Sequence, residues 1–145
     1  MNHVFKLQCA YVLLFTLTFS AFSAVEIPST MKLKQCPGSP NCVSSQSHSE
    51  SSRITPLSYK SSETEAMEKI KSIILGLPRT TLIKETTQFL HIEFKTAILR
   101  FVDDVEIIIN DKEKVIHLRS ASRLGYWDLG TNRRRIEVIK KKFME

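Results

Sequence analysis

Between residues 89 and 122 the chain alternates apolar and polar side chains with a period of two, and no other feature constrains its fold as much. The alternation runs through three segments, 89–96, 101–110 and 115–122. This period is that of a β-strand with one face on a core and the other in water, as in antiparallel sheets. A polar turn at 110–114 separates the last two segments, so we expect them to form a hairpin.

The clearest helix covers 62–76, before these strands. Ser62 and Glu65 have the spacing of a capping box, and apolar residues recur at intervals of three and four. Gly76 and Pro78 end the pattern. The apolar stripe of this helix is expected to face the core.

A second helix is expected at 131–143, where Ile136, Ile139 and Phe143 form an apolar stripe. The segment 80–87 is strand-like, and Pro56 limits 53–59 to an edge strand. The sequence therefore predicts a single α+β domain at 53–145. Its twisted antiparallel sheet has four to five strands, and both helices pack on one face.

The first 23 residues have the pattern of a secretory signal peptide. Lys6 precedes an almost wholly apolar or hydroxylic stretch, and small residues follow it at Ala21, Ser23 and Ala24. Cleavage near Ser23 or Ala24 would make the protein periplasmic or secreted. The alternative is an uncleaved membrane anchor, for which the apolar stretch is slightly short. No second apolar span follows, so no membrane span is expected after cleavage.

Residues 24–52 form a lead-in rich in Ser and Pro, which contains Cys36 and Cys42. Export permits a disulfide between them, and two prolines and a glycine in the short loop favour its closure. Free thiols and a metal site are the alternatives. His48, His91 and His117 are scattered without ligand spacing, and no glycine-rich phosphate loop is present. Neither a metal nor a cofactor is therefore expected.

The basic excess of the chain is concentrated at its C-terminal end. Residues 24–118 contain 12 basic and 12 acidic residues, whereas 119–145 contain 8 basic and 3 acidic ones. A basic tail can indicate nucleic-acid binding. However, an exported protein seldom meets nucleic acid, and no stacking aromatics interrupt the basic run. Nucleic acid is therefore not expected as a partner.

The segment 120–135 is the expected polar site. It contains the only Trp and ends in three consecutive arginines, Arg133, Arg134 and Arg135. These cations lie at the positive end of the second helix, where each exposed one costs about 0.3–1 kcal/mol. Either acids such as Asp103, Asp104 and Asp128 or an anionic ligand should offset them.

In the first of these readings the segment is a structural network. Asp128 or Asn132 caps the helix, and Arg123 and Arg133 pair with Asp103 or Asp104. In the second reading the positive potential binds an anion. A catalytic set is not evident, because no serine lies in a nucleophile elbow and neighbouring acids on a strand point apart. A dyad of Asp128 and His117 remains open.

Three segments resemble the family called domain of unknown function 1499. They are 36–45 (CPGSPNCVSS), 101–106 (FVDDVE) and 119–136 (RSASRLGYWDLGTNRRRI). The resemblance covers about residues 36–143. It implies bacterial export-type or membrane-associated members and a motif-rich polar centre, but it implies no reaction.

The leading interpretation is an exported module that binds an anionic small molecule or an envelope component. The residues expected to line its polar centre are Arg123, Asp128, Asn132, Arg133, Asp103 and Asp104. One alternative is a structural or protein-interaction domain whose Arg–Asp network only stabilises the fold. A further alternative is an envelope hydrolase that uses Asp128 or His117. No feature of the sequence identifies a protein partner.

Overall fold

A computed structural model describes residues 32–145, and these form an α+β domain. The predicted signal peptide, with the alternative membrane anchor, lies outside the described residues. The elements in chain order are β1 (Cys42–Ser44), a 3₁₀ turn (Glu50–Ser52), β2 (Leu57–Ser58), α1 (Glu63–Leu75), β3 (Thr80–Glu85), β4 (Phe89–Lys95), β5 (Val102–Asn110), β6 (Val115–Ser122) and α2 (Thr131–Met144). In the described range, no helix is long and apolar enough to cross a bilayer.

The six strands form one antiparallel sheet in the order β1-β6-β5-β4-β3. The short β2 also pairs with β6, further along the same edge than β1. The predicted hairpin is β5–β6, with eight residue pairs in register from Asp103–Ser122 to Asn110–Val115. The predicted antiparallel sheet is confirmed, and two short strands bring its count to six.

The alternation along β4, β5 and β6 separates two faces of the sheet. Leu90, Ile92, Val105, Ile107 and Leu118 are fully buried on one face, which we call the inner face. The helices cover this face with residues that join the same apolar core: Ala66, Met67, Ile70 and Ile74 from α1, and Ile136, Ile139 and Phe143 from α2. Both helices therefore pack on one side of the sheet, as predicted.

Helix α1 begins with the predicted capping box. The Ser62 hydroxyl accepts a hydrogen bond from the Glu65 N–H at 3.3 Å, and the Glu65 carboxylate accepts one from the Ser62 N–H at 3.0 Å. These two bonds satisfy backbone donors that the helix leaves free. Hydrogen bonding by Ser62 also lowers the pKa of the Glu65 carboxyl.

The segment before β2 is attached to the rest of the domain through the disulfide loop and β1. Cys36 and Cys42 form the predicted disulfide, and β1, which begins at Cys42, pairs with β6. Within the disulfide loop, the Asn41 side-chain amide donates to the Gly125 carbonyl at 2.5 Å. Residues predicted as lead-in thus supply a strand of the sheet and a contact to the loop before α2.

Candidate functional site

A buried polar cluster lies on the inner face, where β5 begins and β6 ends. We define it as Asp103 of β5, Ser120 of β6, and Asn132 and Arg135 of α2. Asn132 and Ser120 are fully buried, and Asp103 is 2% exposed. Buried polar groups on this scale are stable only when they are hydrogen-bonded.

Asn132 connects this cluster to the surrounding segments through its side-chain hydrogen bonds. Its side-chain Nδ2 lies 3.0 Å from the Asn41 carbonyl oxygen, 3.0 Å from the Ser122 hydroxyl and 2.8 Å from the Asp128 carboxylate. Its Oδ1 accepts from the Ser120 hydroxyl at 2.5 Å. The asparagine therefore joins the disulfide loop, the end of β6 and the start of α2.

Arg135 provides the charge of the cluster. Its guanidinium donates to the Asp103 carboxylate at 2.5 Å, to Asn132 Oδ1 at 2.5 Å and to the Ser120 hydroxyl at 2.9 Å. The guanidinium carbon also lies 4.6 Å from the centre of the Phe94 ring, within reach of a cation–π contact. The ion pair is almost completely buried, since the Arg135 and Asp103 side chains are 10% and 3% exposed.

Asp128 holds the start of α2. Its carboxylate accepts from the Gly130 N–H at 2.9 Å and from the Asn132 N–H at 2.8 Å. These bonds need a tight turn, in which Leu129 and Gly130 both have positive φ, at 56° and 75°. A leucine rarely adopts this conformation, and such strain is often found at functional sites.

The three consecutive arginines point in different directions and have different partners. Arg135 turns inward to Asp103, as described. Arg134 donates to the Leu129 carbonyl at 2.7 Å, and Arg133 donates to the Ser51 carbonyl at 2.7 Å. Neither Arg133 nor Arg134 forms an ion pair with an acid among residues 32–145. Only one of the three charges is thus neutralised there.

Arg123 and Asp104 form a separate network on the outer face. The Arg123 guanidinium donates to both Asp104 oxygens, at 2.9 and 2.7 Å, and to Glu93 at 2.5 Å. Glu93 and Asp104 are paired directly across β4 and β5, so Arg123 separates two like charges that would repel each other. His91 also contacts Asp104, at 2.7 Å.

The pKa values of this outer network follow from its contacts. Burial acts to raise the pKa of the Asp104 carboxyl, but the hydrogen bonds from Arg123 and His91 outweigh it and hold the pKa below its usual value. The bonds from Arg123 to Asp104, with the one to Glu93, raise the pKa of Arg123. The outer network thus places one guanidinium between two carboxylates.

The structure brings together only some of the predicted site residues. Asp103, Asp128 and Asn132 meet at the start of α2, whereas Asp104 and Arg123 lie on the opposite face of the sheet. Arg133 contacts backbone carbonyls near the 3₁₀ turn. Of the predicted pairings with Asp103 or Asp104, Arg123 pairs with Asp104, whereas Arg133 pairs with neither and Asp103 pairs with Arg135.

The two residues of the alternative catalytic dyad are not brought together. His117 lies on the outer face, where its Nδ1 is 3.1 Å from the Ser45 hydroxyl, while Asp128 holds α2 on the inner side. Burial lowers the pKa of His117. Both His91 and His117 are half-buried on the outer face and hydrogen-bonded. In the part of the chain that the structure describes, no three His, Cys, Asp or Glu side chains are arranged so that they could hold a metal ion together.

A cleft with a volume of about 590 Å³ opens beside the buried polar cluster, between the β4–β5 loop and the β6–α2 loop. We call it the apolar cleft. Its exposed walls are formed by Ile98, Leu99, Phe101, Leu124, Trp127 and Leu129, and its floor by Asp103, Ser122, Asp128 and Thr131. This is the size and composition of small-molecule sites, which are mostly apolar with a few polar groups.

Sequence reasoning missed several residues of this region. Arg135 carried a signal that could have identified it, because it follows Asn132 by three and precedes Ile139 by four, on the buried side of α2. Ser120 also carried one, because the alternation places it on the same face of β6 as Ile116 and Leu118. Asn41 carried none, since its partners are distant in sequence. The apolar loop residues stand in runs without periodicity, which give no indication of a shared surface.

A family model, described as "Protein of unknown function (DUF1499)", matches residues 32–143. The chain belongs to this family. The DUF1499 match includes the disulfide loop, every strand and nearly all of α2, so the buried polar cluster and the apolar cleft both lie within the family's region. A search of curated proteins finds no match. Within the DUF1499 domain, the function must therefore be argued from the site itself.

Proposed function

We propose that this protein binds an anionic amphiphile, a molecule that joins an apolar chain to a negatively charged group. The observation that carries the proposal is the apolar cleft, whose walls are solvent-exposed apolar side chains and which has Arg134 beside it, against the Leu129 carbonyl. Water-exposed apolar surface is costly, and a ligand chain that covers it is stabilised in proportion to the area buried.

The charge of the ligand is inferred from Arg134, which lies beside the cleft. Its guanidinium lies against the backbone of Leu129, a wall residue, and its charge has no acidic partner among the described residues. Arg133 is directed away from the cleft, toward the carbonyls of Ser51 and Arg53. A phosphate or carboxylate group at the cleft mouth would meet the Arg134 guanidinium and the positive end of the α2 dipole.

The buried polar cluster supports the cleft rather than binding the ligand. Its hydrogen bonds fix Asp103, Asp128 and the start of α2, which form the floor. Asn132 is fully buried and has partners for both ends of its amide. We assign it and Arg135 to positioning the two loops. In an exported protein, the anionic amphiphile would be a lipid or another envelope component.

A structural or protein-interaction domain is the second candidate function. The near-complete burial and pairing of Arg135 and Asp103 favours it, because such a network needs no ligand to be stable. The two candidates differ in one respect: only the first requires a ligand to enter the apolar cleft.

The only Trp of the protein lines the cleft, so its fluorescence reports binding directly. We would titrate the full chain with dihexanoyl phosphatidylglycerol and with dihexanoyl phosphatidylcholine, which have identical tails. The anionic lipid is expected to shift the Trp127 emission to the blue. It should also bind about fivefold more tightly than the zwitterionic one, the effect of roughly 1 kcal/mol per nearby arginine.

Matched variants test the two parts of the site. Leu124→Ser should weaken both lipids, whereas Ile83→Ser, an exposed apolar residue of β3, should weaken neither. Arg134→Gln should remove the preference for the anionic lipid, and Lys112→Gln, an exposed cation in the β5–β6 turn, should preserve it. If neither lipid changes the emission, or if Leu124→Ser binds both like the wild type, the proposed function is wrong.

A further inference from the structure

The two loops that form the cleft walls expose an unusual amount of apolar surface at their tips. Of the twelve large apolar residues exposed in the described part of the chain, seven lie in these two loops. Ile98 is 89% exposed and Tyr126 is 74% exposed. Tyr126 does not line the cleft, so a ligand inside the cleft would not cover it. The patch therefore extends beyond what the proposed amphiphile buries.

The chemistry of this patch is that of a membrane–water interface. Trp127 and Tyr126 are adjacent, and both residue types are enriched at the level of lipid headgroups, where an apolar ring with a polar edge is favoured. Aliphatic side chains from the other loop stand beside them across the cleft mouth. A protein that docks on a bilayer buries such residues a short way into the headgroup region.

The charges around the patch are positive. Arg100 belongs to the β4–β5 loop, and Arg134 donates to the Leu129 carbonyl in the β6–α2 loop. Neither of them forms an ion pair within residues 32–145. The one acid in either loop, Asp128, is half-buried and its carboxylate accepts hydrogen bonds from the backbone of the turn. The patch thus presents cations and apolar groups together, without an outward-facing acid in its loops.

We propose that these two loops dock on an anionic lipid bilayer, with Ile98, Leu99, Tyr126 and Trp127 in the headgroup region and with Arg100 and Arg134 against anionic headgroups. This inference rests on the proposed function, because the apolar cleft opens between the docked loops. An amphiphile would then enter the cleft from the bilayer without crossing water. Charge complementarity favours a bilayer over a protein partner, since each arginine near an anionic surface adds to the attraction.

The position of the only Trp makes the docking measurable in the full chain. Vesicles are prepared with dibrominated acyl chains, which quench a Trp that enters the bilayer. One set contains phosphatidylcholine alone, and the other contains an equal mixture with phosphatidylglycerol. Because Trp127 is the reporter, membrane binding through the apolar N-terminal segment does not by itself produce the signal.

Quenching of Trp127 is expected with the anionic vesicles and much less with the neutral ones, and high salt should reduce it because salt screens surface charges. The double variant Arg100→Gln/Arg134→Gln should weaken vesicle binding about 25-fold, from about fivefold for each arginine. Lys112→Gln should bind like the wild type. Tyr126→Ser should weaken vesicle binding while its affinity for dihexanoyl phosphatidylglycerol stays unchanged.

The failures of the two proposals can be told apart. If the soluble lipid binds but anionic vesicles leave Trp127 unquenched, docking is overturned, the proposed function stands and the patch is left for a protein partner. If vesicles quench Trp127 but the soluble lipid does not bind, the cleft is not a ligand site. Equal quenching by neutral and anionic vesicles would overturn the role given to the arginines.

Discussion

Removing the Asp103 carboxylate should destabilise the protein more than any other single change in the buried polar cluster. In Asp103→Ala, the Arg135 cation stays in place with its side chain only 10% exposed and loses its 2.5 Å partner. Breaking a buried ion pair from one side costs about 3–5 kcal/mol, because an uncompensated charge remains out of water. Asn132 and Ser120 keep their contacts with the guanidinium and do not replace the charge.

This loss is large compared with the whole stability of the domain. A domain of this size is stabilised by roughly 6–15 kcal/mol in total. The expected loss would therefore lower the melting temperature by about 12–20 °C, from the unfolding entropy typical of this chain length. The double variant Asp103→Ala/Arg135→Met removes both charges and keeps an aliphatic chain near Phe94. It should recover most of the stability.

Urea denaturation followed by circular dichroism measures these differences, since the exposed Trp127 is a poor reporter of the core. Arg133→Met is the matched control, because Arg133 is exposed and donates only to backbone carbonyls. It should change the free energy of unfolding by less than about 1 kcal/mol. The reasoning is refuted if Asp103→Ala costs less than about 1 kcal/mol, or if the double variant is no more stable than the single one.

Three further predictions concern the rest of the fold. In Arg123→Gln, the carboxyl of Asp104 loses the bonds that hold its pKa low. The stabilisation that the ionised Asp104 carboxylate gives the fold exists above about pH 4 and is lost below. In urea denaturation the variant should therefore be less stable than the wild type at pH 7, by under about 1 kcal/mol, and equally stable near pH 3. A loss of stability that does not depend on pH would contradict this. Because burial lowers the pKa of His117, the unfolded chain binds more protons than the folded one below about pH 6.5, so the stability should decrease as the pH is lowered through this range. His117→Gln should make the melting temperature depend less on pH between pH 5 and 7. The double change Cys36→Ser/Cys42→Ser opens a seven-residue loop and should cost about 2 kcal/mol by calorimetry, with an unchanged melting temperature as the contrary result.

The elements that could be predicted from sequence are those whose evidence is local. The alternation in β4, β5 and β6, the capping box at Ser62 and the stop at Gly76 each lie within a few residues of the structure they specify. The short β1 could not be recognised in the same way, because it contains three residues and is a strand only where β6 lies beside it. The two residues of β2 lie within the edge strand expected at 53–59.

The candidate site was predicted only in part, for a related reason. Consecutive residues on a helix point about 100° apart, so the run of three arginines could not share one environment. Only Arg135 has the position to reach Asp103, which depends on the angle between α2 and the sheet. Likewise, Asp103 and Asp104 were expected to point apart, but the partner of each depends on which helix or loop covers its face. Such packing has no local signal.

The pairing of β1 with β6 also bears on the order in which this protein can fold. The two strands are the first and the last among residues 32–145, and Asn41 beside β1 contacts Asn132 in α2. A chain that emerges with its N-terminal end first cannot complete this edge of the sheet until β6 and α2 have followed. Contacts at such long separation slow folding, because the closure entropy of the loop must be overcome first. The disulfide loop can close early, whereas β6 and α2, against which it packs, are completed last.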